Sequence, residues 1–161
     1  MARGRTRVAA KSNRPVALVT GAANGIGRAI SHHLLDAGWC VLAVDLPKMR
    51  LIQHFRGWAR SSATMEGDVS DEDVVREAVR FALDRFGQLD AVVANAGVMI
   101  RRPIRRLSLE DWHHVIDTNL TAAFLLARAA QRALRSSKGS IVTIASTRAL
   151  MSEPNTESYS A

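Results

Sequence analysis

From Pro15 onward, short apolar runs alternate with longer stretches in which apolar residues recur every three or four positions, the pattern of strands joined by amphipathic helices. Residues 16–20 predict a first strand and residues 25–37 the helix after it, which Gly38 ends. Residues 40–45 predict a second strand, 48–59 a helix and 63–67 a short third strand. Ser70-Asp71-Glu72-Asp73 offers an N-cap and first-turn acids suited to the positive end of a helix dipole, opening a helix that Gly87 stops after Phe86. Residues 89–94 form an apolar run of the kind buried on both faces. Ser108-Leu109-Glu110-Asp111 repeats the capping pattern and opens a helical region reaching about Leu134, with a break near Asn119. Residues 140–145 give the fifth strand, and a polar loop containing Pro154 leads to Tyr159.

Strands alternating with helices require a parallel sheet, and right-handed crossovers give a doubly wound α/β fold of the Rossmann type, ordered 3-2-1-4-5. A chain of 161 residues suits one domain. No apolar run approaches the roughly 20 residues that cross a bilayer, and Cys40 has no partner for a disulfide. A protein of the reducing cytoplasm, not bound to membrane, is expected. The net charge of +7 would suggest nucleic acid, but Arg3, Arg5, Arg7, Lys11 and Arg14 supply most of it. Residues 1–14 therefore read as a basic flexible leader, residues 15–161 as the folded part, and a nucleic-acid partner is not expected.

The chemistry begins between the first strand and its helix. Glycines at 21, 25 and 27 form a turn in which backbone amides can approach a pyrophosphate, and the helix N-terminus favours the anion. Asp45, eighteen residues after Gly27, ends the second strand. A carboxylate there can accept hydrogen bonds from ribose hydroxyls and repels a 2′-phosphate, which favours NAD over NADP. Arg50 and the basic leader keep NADP open.

Thr20-Gly21-Ala22-Ala23-Asn24-Gly25-Ile26-Gly27, Asn95-Ala96-Gly97, and Ser146 with Tyr159 thirteen residues later together resemble the short-chain dehydrogenase/reductase family over residues 15–161. The resemblance implies that Thr20, Gly21, Asn24, Gly25, Ile26 and Gly27 line the dinucleotide. It assigns Asp68 and Val69 to the adenine, and Asn95, Ala96 and Gly97 to the backbone beside the cofactor ribose, with Ala94 replacing the family's first Asn. It makes Tyr159 the acid or base that exchanges a proton with the substrate oxygen, Ser146 a donor to that oxygen and Asn119 the holder of a relay water. In the family a lysine four positions after the tyrosine lowers the phenol pKa; here it would fall two positions beyond Ala161. Residues 15–161 are accordingly expected to be an incomplete catalytic domain lacking C-terminal strands and helices, and inactive by themselves.

The implied activity is NAD(P)-dependent interconversion of a small secondary alcohol and its ketone. A 3-oxoacyl-carrier reductase and a truncated, non-catalytic dinucleotide-binding protein are the alternatives. No metal is implied: His32-His33 and His113-His114 are adjacent helical pairs whose members point apart. Arg101-Arg102-Pro103-Ile104-Arg105-Arg106 reads as a solvated basic loop. Residues 120–134 are apolar on more than one face, and Ala122, Ala123, Ala127 and Ala130 suggest close packing in a homodimer or homotetramer.

Overall fold

The computed structural model describes residues 12–161. Strands β1 (Val16–Thr20), β2 (Cys40–Asp45), β3 (Ser62–Glu66), β4 (Ala91–Ala94) and β5 (Ser140–Thr143) form one parallel sheet, ordered β3-β2-β1-β4-β5 as expected. Because successive strand residues face opposite sides, β1 and β2 feed two cores. Val16, Leu18, Leu42 and Val44 pack on one face beneath α3 (Glu72–Phe86) and α5 (Ala122–Ser137). Ala17, Val19, Val41 and Ala43 pack on the other with Leu35 of α1 (Gly25–Asp36) and Phe55 of α2 (Ile52–Phe55).

The helix expected over 48–59 is broken. Pro47–Met49 forms a 3₁₀ turn, Arg50 takes a left-handed conformation at φ 48°, and only the single turn of α2 is α-helical before another 3₁₀ turn at Arg56–Trp58. Pro47 favours a helix start rather than an interior, and the left-handed Arg50 interrupts the ladder. Asp71, not Ser70, caps α3 by accepting from Asp73 N; Ser70 instead hydrogen-bonds Asp68. Strand β4 begins two residues later than expected; Asp90, just before it, still bonds both neighbours, its N–H donating to Val16 O and its carbonyl accepting from Ser140 N, while its carboxylate accepts from Val16 N at 2.8 Å.

The break near Asn119 is a π-helical turn, Asp117–Thr121, between α4 (Leu109–Ile116) and α5. On α5 the expected alanine interface is corrected. Ala122 and Ala130 are buried in the core, Ala123 and Ala127 are half-buried, and the large outward apolar residue is Phe124, 57% exposed. Most of the basic leader lies outside the described residues. Its end is tied to the fold: Ser12 N donates to Phe86 O, and Arg14 donates to the carbonyls of Gly38 and Trp39.

Candidate active site

The residues expected to carry the chemistry converge on the C-terminal edge of the sheet, where ligands bind in open α/β folds. Thr20 ends β1, fully buried, and its hydroxyl is saturated: it donates to Val93 O at 3.3 Å and accepts from Asn95 N and Ala96 N, each at 3.0 Å. Asn95 answers by donating from Nδ2 to Thr20 O at 2.9 Å and to Gly21 O at 3.3 Å. The glycine-rich turn and the Asn95-Ala96-Gly97 segment are thus one hydrogen-bonded unit built from the ends of neighbouring parallel strands.

Within the turn the glycines differ in role. Gly21 has φ +63°, and a Cβ there would lie 2.8 Å from Asn95 Nδ2; a Cβ on Gly27 would strike the Gly21 carbonyl. These two let the turn fold tightly on itself. Gly25, at φ +48°, has nothing within 4 Å of its missing side chain. Its open side forms a cradle of bare backbone at the start of α1. Asn24 provides no side-chain cap there and the first turn of α1 carries no acid, whereas α3 and α4 have both a cap and acids. The turn is therefore suited to an external anion, and the donor set fits a dinucleotide pyrophosphate.

Asp45 sits beside this turn, half-buried, with Oδ2 accepting from Ala23 N and Oδ1 from Leu46 N, both at 2.8 Å. Asp68 Oδ1 accepts from both N and Oγ of Ser70, and Val69 is buried in the core with only 5% exposure.

A cavity of about 590 Å³ opens alongside, and among its walls are Thr20, Asn95, Gly97, Asn119, Ser146 and Tyr159. Asn119 reaches it from the π-helical turn: its Nδ2 donates to Val98 O at 2.9 Å and its Oδ1 accepts from Val98 N at 2.8 Å. Both side-chain ends are spent on fastening the strand-four loop to the helix. Ser146 follows β5, its Oγ accepting from Arg148 N at 3.2 Å. Tyr159 lies on the short helix α6 (Glu157–Ser160), half-buried, with its N–H donating to Thr156 O. Glycines 21, 25 and 27, Asn24, Asp45, Asp68 and Val69 lie outside the cavity wall; Ile26 and Ala96 are part of it.

Two features were not legible in the sequence. Thr118 and Ser158, each at least nine-tenths buried, are among the residues around the cavity, and their buried hydroxyls have no hydrogen-bond partner among the described residues. The arginine run is exposed, as a solvated loop would be, but two of its members are paired, Arg101 with Glu153 and Arg102 with Asp111. The hydrogen bond from Arg101 and the charge of Arg148 hold the Glu153 carboxyl below its ordinary value. Those pairs act at full strength above the usual carboxylate range and are lost as pH falls through the depressed value. Among the described residues, no group of three His, Cys, Asp or Glu is arranged to hold a metal, and no helix is long and apolar enough to cross a membrane. His33, His113 and His114 are exposed, and His32 packs between Phe55 and Trp58.

Residues 15–161 match the family model of the short chain dehydrogenases, and the chain belongs to that family of oxidoreductases. It is 36% identical over 150 residues to an uncharacterized oxidoreductase of Thermotoga maritima, covering 91% of this chain and 59% of the relative. It is 34% identical to a 3-oxoacyl-[acyl-carrier-protein] reductase of Synechocystis, covering 91% and 61%. The crystal structure of a short-chain dehydrogenase/reductase, a glucose/ribitol dehydrogenase of Brucella melitensis, superposes with a TM-score of 0.86 at 34% identity, covering 93% of this chain and 63% of that one. The chain thus spans about three fifths of the length of these relatives.

Proposed function

We propose that the full-length protein is a nicotinamide-dependent oxidoreductase that interconverts a secondary alcohol and its ketone, with Tyr159 as the general acid and base. The observation that carries this reading is that Asn119, Ser146 and Tyr159 share one cavity with the segment tied to the glycine-rich turn. Thr20, Gly21, Asn24, Gly25, Ile26 and Gly27 would hold the dinucleotide on one side, with Asp45, Asp68 and Val69 toward its adenosine and Asn95, Ala96 and Gly97 beneath its second ribose. Asp45 favours NAD over NADP. When bound, the nicotinamide supplies or accepts the hydride.

In reduction the Tyr159 phenol donates its proton to the carbonyl oxygen as charge develops there; in oxidation the phenolate accepts the alcohol proton. The Ser146 hydroxyl, whose oxygen accepts from Arg148 N, has its hydrogen free to donate to the same oxygen. A free phenol titrates near ~10, so the reading needs a neighbouring cation, for which a lysine just beyond Ala161 is the proposed source. Residues 15–161 are on this reading the dinucleotide-binding part, with three of the four catalytic groups, of a cytoplasmic enzyme. The 3-oxoacyl reductase reading is favoured by relatives of that name at 31–34% identity and by exposed Arg105 and Arg106, which suit an acidic carrier.

The test is hydride transfer by the full-length protein, followed as NADH absorbance with a panel of secondary alcohols and 3-oxoacyl thioesters. Tyr159→Phe is expected to lower kcat by roughly a hundredfold or more, the loss of one general acid, while leaving NADH affinity unchanged. A phenylalanine variant with wild-type turnover would sink the assignment.

A further inference from the structure

The thirteen-residue connection between Ser146 and Tyr159 has a charged centre. Glu153 meets two guanidinium groups that arrive from different segments. Arg101, in the loop after β4, donates to Oε2 at 2.8 Å; Arg148, two residues after Ser146, pairs with Oε1. Arg148 N also donates to Ser146 Oγ, so one residue links the carboxylate to the serine. On the tyrosine side, Thr156 Oγ1 donates to Glu153 O at 2.6 Å, Thr156 N donates to the same carbonyl, and Tyr159 N donates to Thr156 O at 3.0 Å. Thr156 is fully buried. A parallel backbone bond, Arg102 N to Asn155 O at 3.0 Å, fastens the β4 loop to the same turn, where Asn155 is left-handed at φ 66°.

This arrangement differs from a typical surface ion pair. An isolated exposed pair contributes little, but a carboxylate shared by two guanidiniums fixes geometry as well as charge. The three segments it joins are those that position Ser146, Tyr159 and the β4 loop around the cavity. We infer that Glu153 is a positioning residue, a latch whose carboxylate, held by Arg101 and Arg148, sets where Tyr159 lies relative to Ser146. Glu153 does not itself line that cavity and touches no reacting atom. Its influence passes through Arg148 to the serine and through Thr156 to the tyrosine. The role rests on the reading of Tyr159 as the proton-transfer group.

The experiment uses the full-length protein with isotope-labelled tyrosine, the Tyr159 resonance being assigned by its loss in Tyr159→Phe. Glu153→Gln keeps the shape of the side chain and removes its charge. It is expected to shift the Tyr159 resonance and to lower kcat roughly tenfold, because displacements of about an ångström cost that much or more. KM for the cofactor should stay within about twofold, since the glycine-rich turn is untouched. Glu153→Asp, which keeps the charge, should recover part of kcat, and Arg101→Gln and Arg148→Gln should each reproduce the resonance shift. Arg76→Gln, which breaks an ion pair on α3 far from the loop, should move neither readout. A Glu153→Gln protein with the wild-type resonance and kcat overturns the latch. If that variant fails to fold, wild-type values in both arginine variants overturn it equally. Failure of the wild type to transfer hydride defeats the functional reading alone, because the tyrosine resonance still decides whether Glu153 positions Tyr159.

Discussion

Asp45 serves the turn before it can serve a ligand. Its two oxygens already accept from Ala23 N and Leu46 N, yet an ionised carboxylate offers about four lone-pair sites, so two are left for the ribose hydroxyls proposed for it. The same residue therefore carries a structural and a recognition role, and one substitution should report both. Asp45→Ala is expected to lower the NADH-over-NADPH affinity ratio by about tenfold, since both the hydroxyl acceptor and the repulsion of a 2′-phosphate disappear. It should also lower stability by about 1 kcal/mol through the orphaned Ala23 N–H. Fluorescence titration of both cofactors, with thermal melts, checks the two effects separately; an unchanged ratio would remove Asp45 from cofactor choice. Thr20 shows the opposite economy: the hydrogen-bonding capacity of its hydroxyl is consumed inside the protein, so its part in the dinucleotide site is to fasten the glycine-rich turn to the Asn95-Ala96 segment.

The turn between β1 and α1 shows how an element is made from such residues and how much of it the sequence discloses. The strand run at 16–20, the glycine spacing and the helix start are local features, and each appears where the periodicity puts it. What spacing alone does not separate is the packing glycines from the open one. Gly27→Ala would drive a methyl into the Gly21 carbonyl, so a loss of about 1–3 kcal/mol is expected, the usual cost of overpacking. Gly25 presents no such obstacle, only its left-handed φ. Urea denaturation of Gly27→Ala measures the first effect, and a variant as stable as the parent would show that the turn can relax. Legibility declines as partners grow distant in sequence. The π-helical turn was visible as a break near Asn119, but its fastening to Val98 was not, and neither was the Arg101–Glu153 contact across 52 residues. The broken 48–59 segment failed for a local reason: Pro47 and the left-handed Arg50 outweighed the apolar periodicity.

At the scale of the whole molecule, two apolar surfaces face outward, and they predict different associations. Strand β5 is exposed along its length within residues 12–161, with Ile141 39% and Val142 49% exposed, and on the proposed reading this edge is where further strands of the full-length domain pair. On α5, Phe124 projects from a helix whose inner face is already filled by Ala122, Leu126 and Ala130, and Arg128 lies over the Phe124 ring at 4.9 Å. A helix face stiffened in this way favours a closed, self-complementary contact over open-ended strand pairing. A homodimer or homotetramer of the full-length protein through α5 is therefore expected. Phe124→Glu, which buries a charge in that contact, should shift the sedimentation coefficient toward the monomer at micromolar concentration, while the far-ultraviolet spectrum stays that of the parent. Ile52→Glu, at an exposed position on α2, away from α5, should leave the assembly intact. If the Phe124→Glu protein keeps the parent's sedimentation coefficient, the outward face of α5 has no part in assembly.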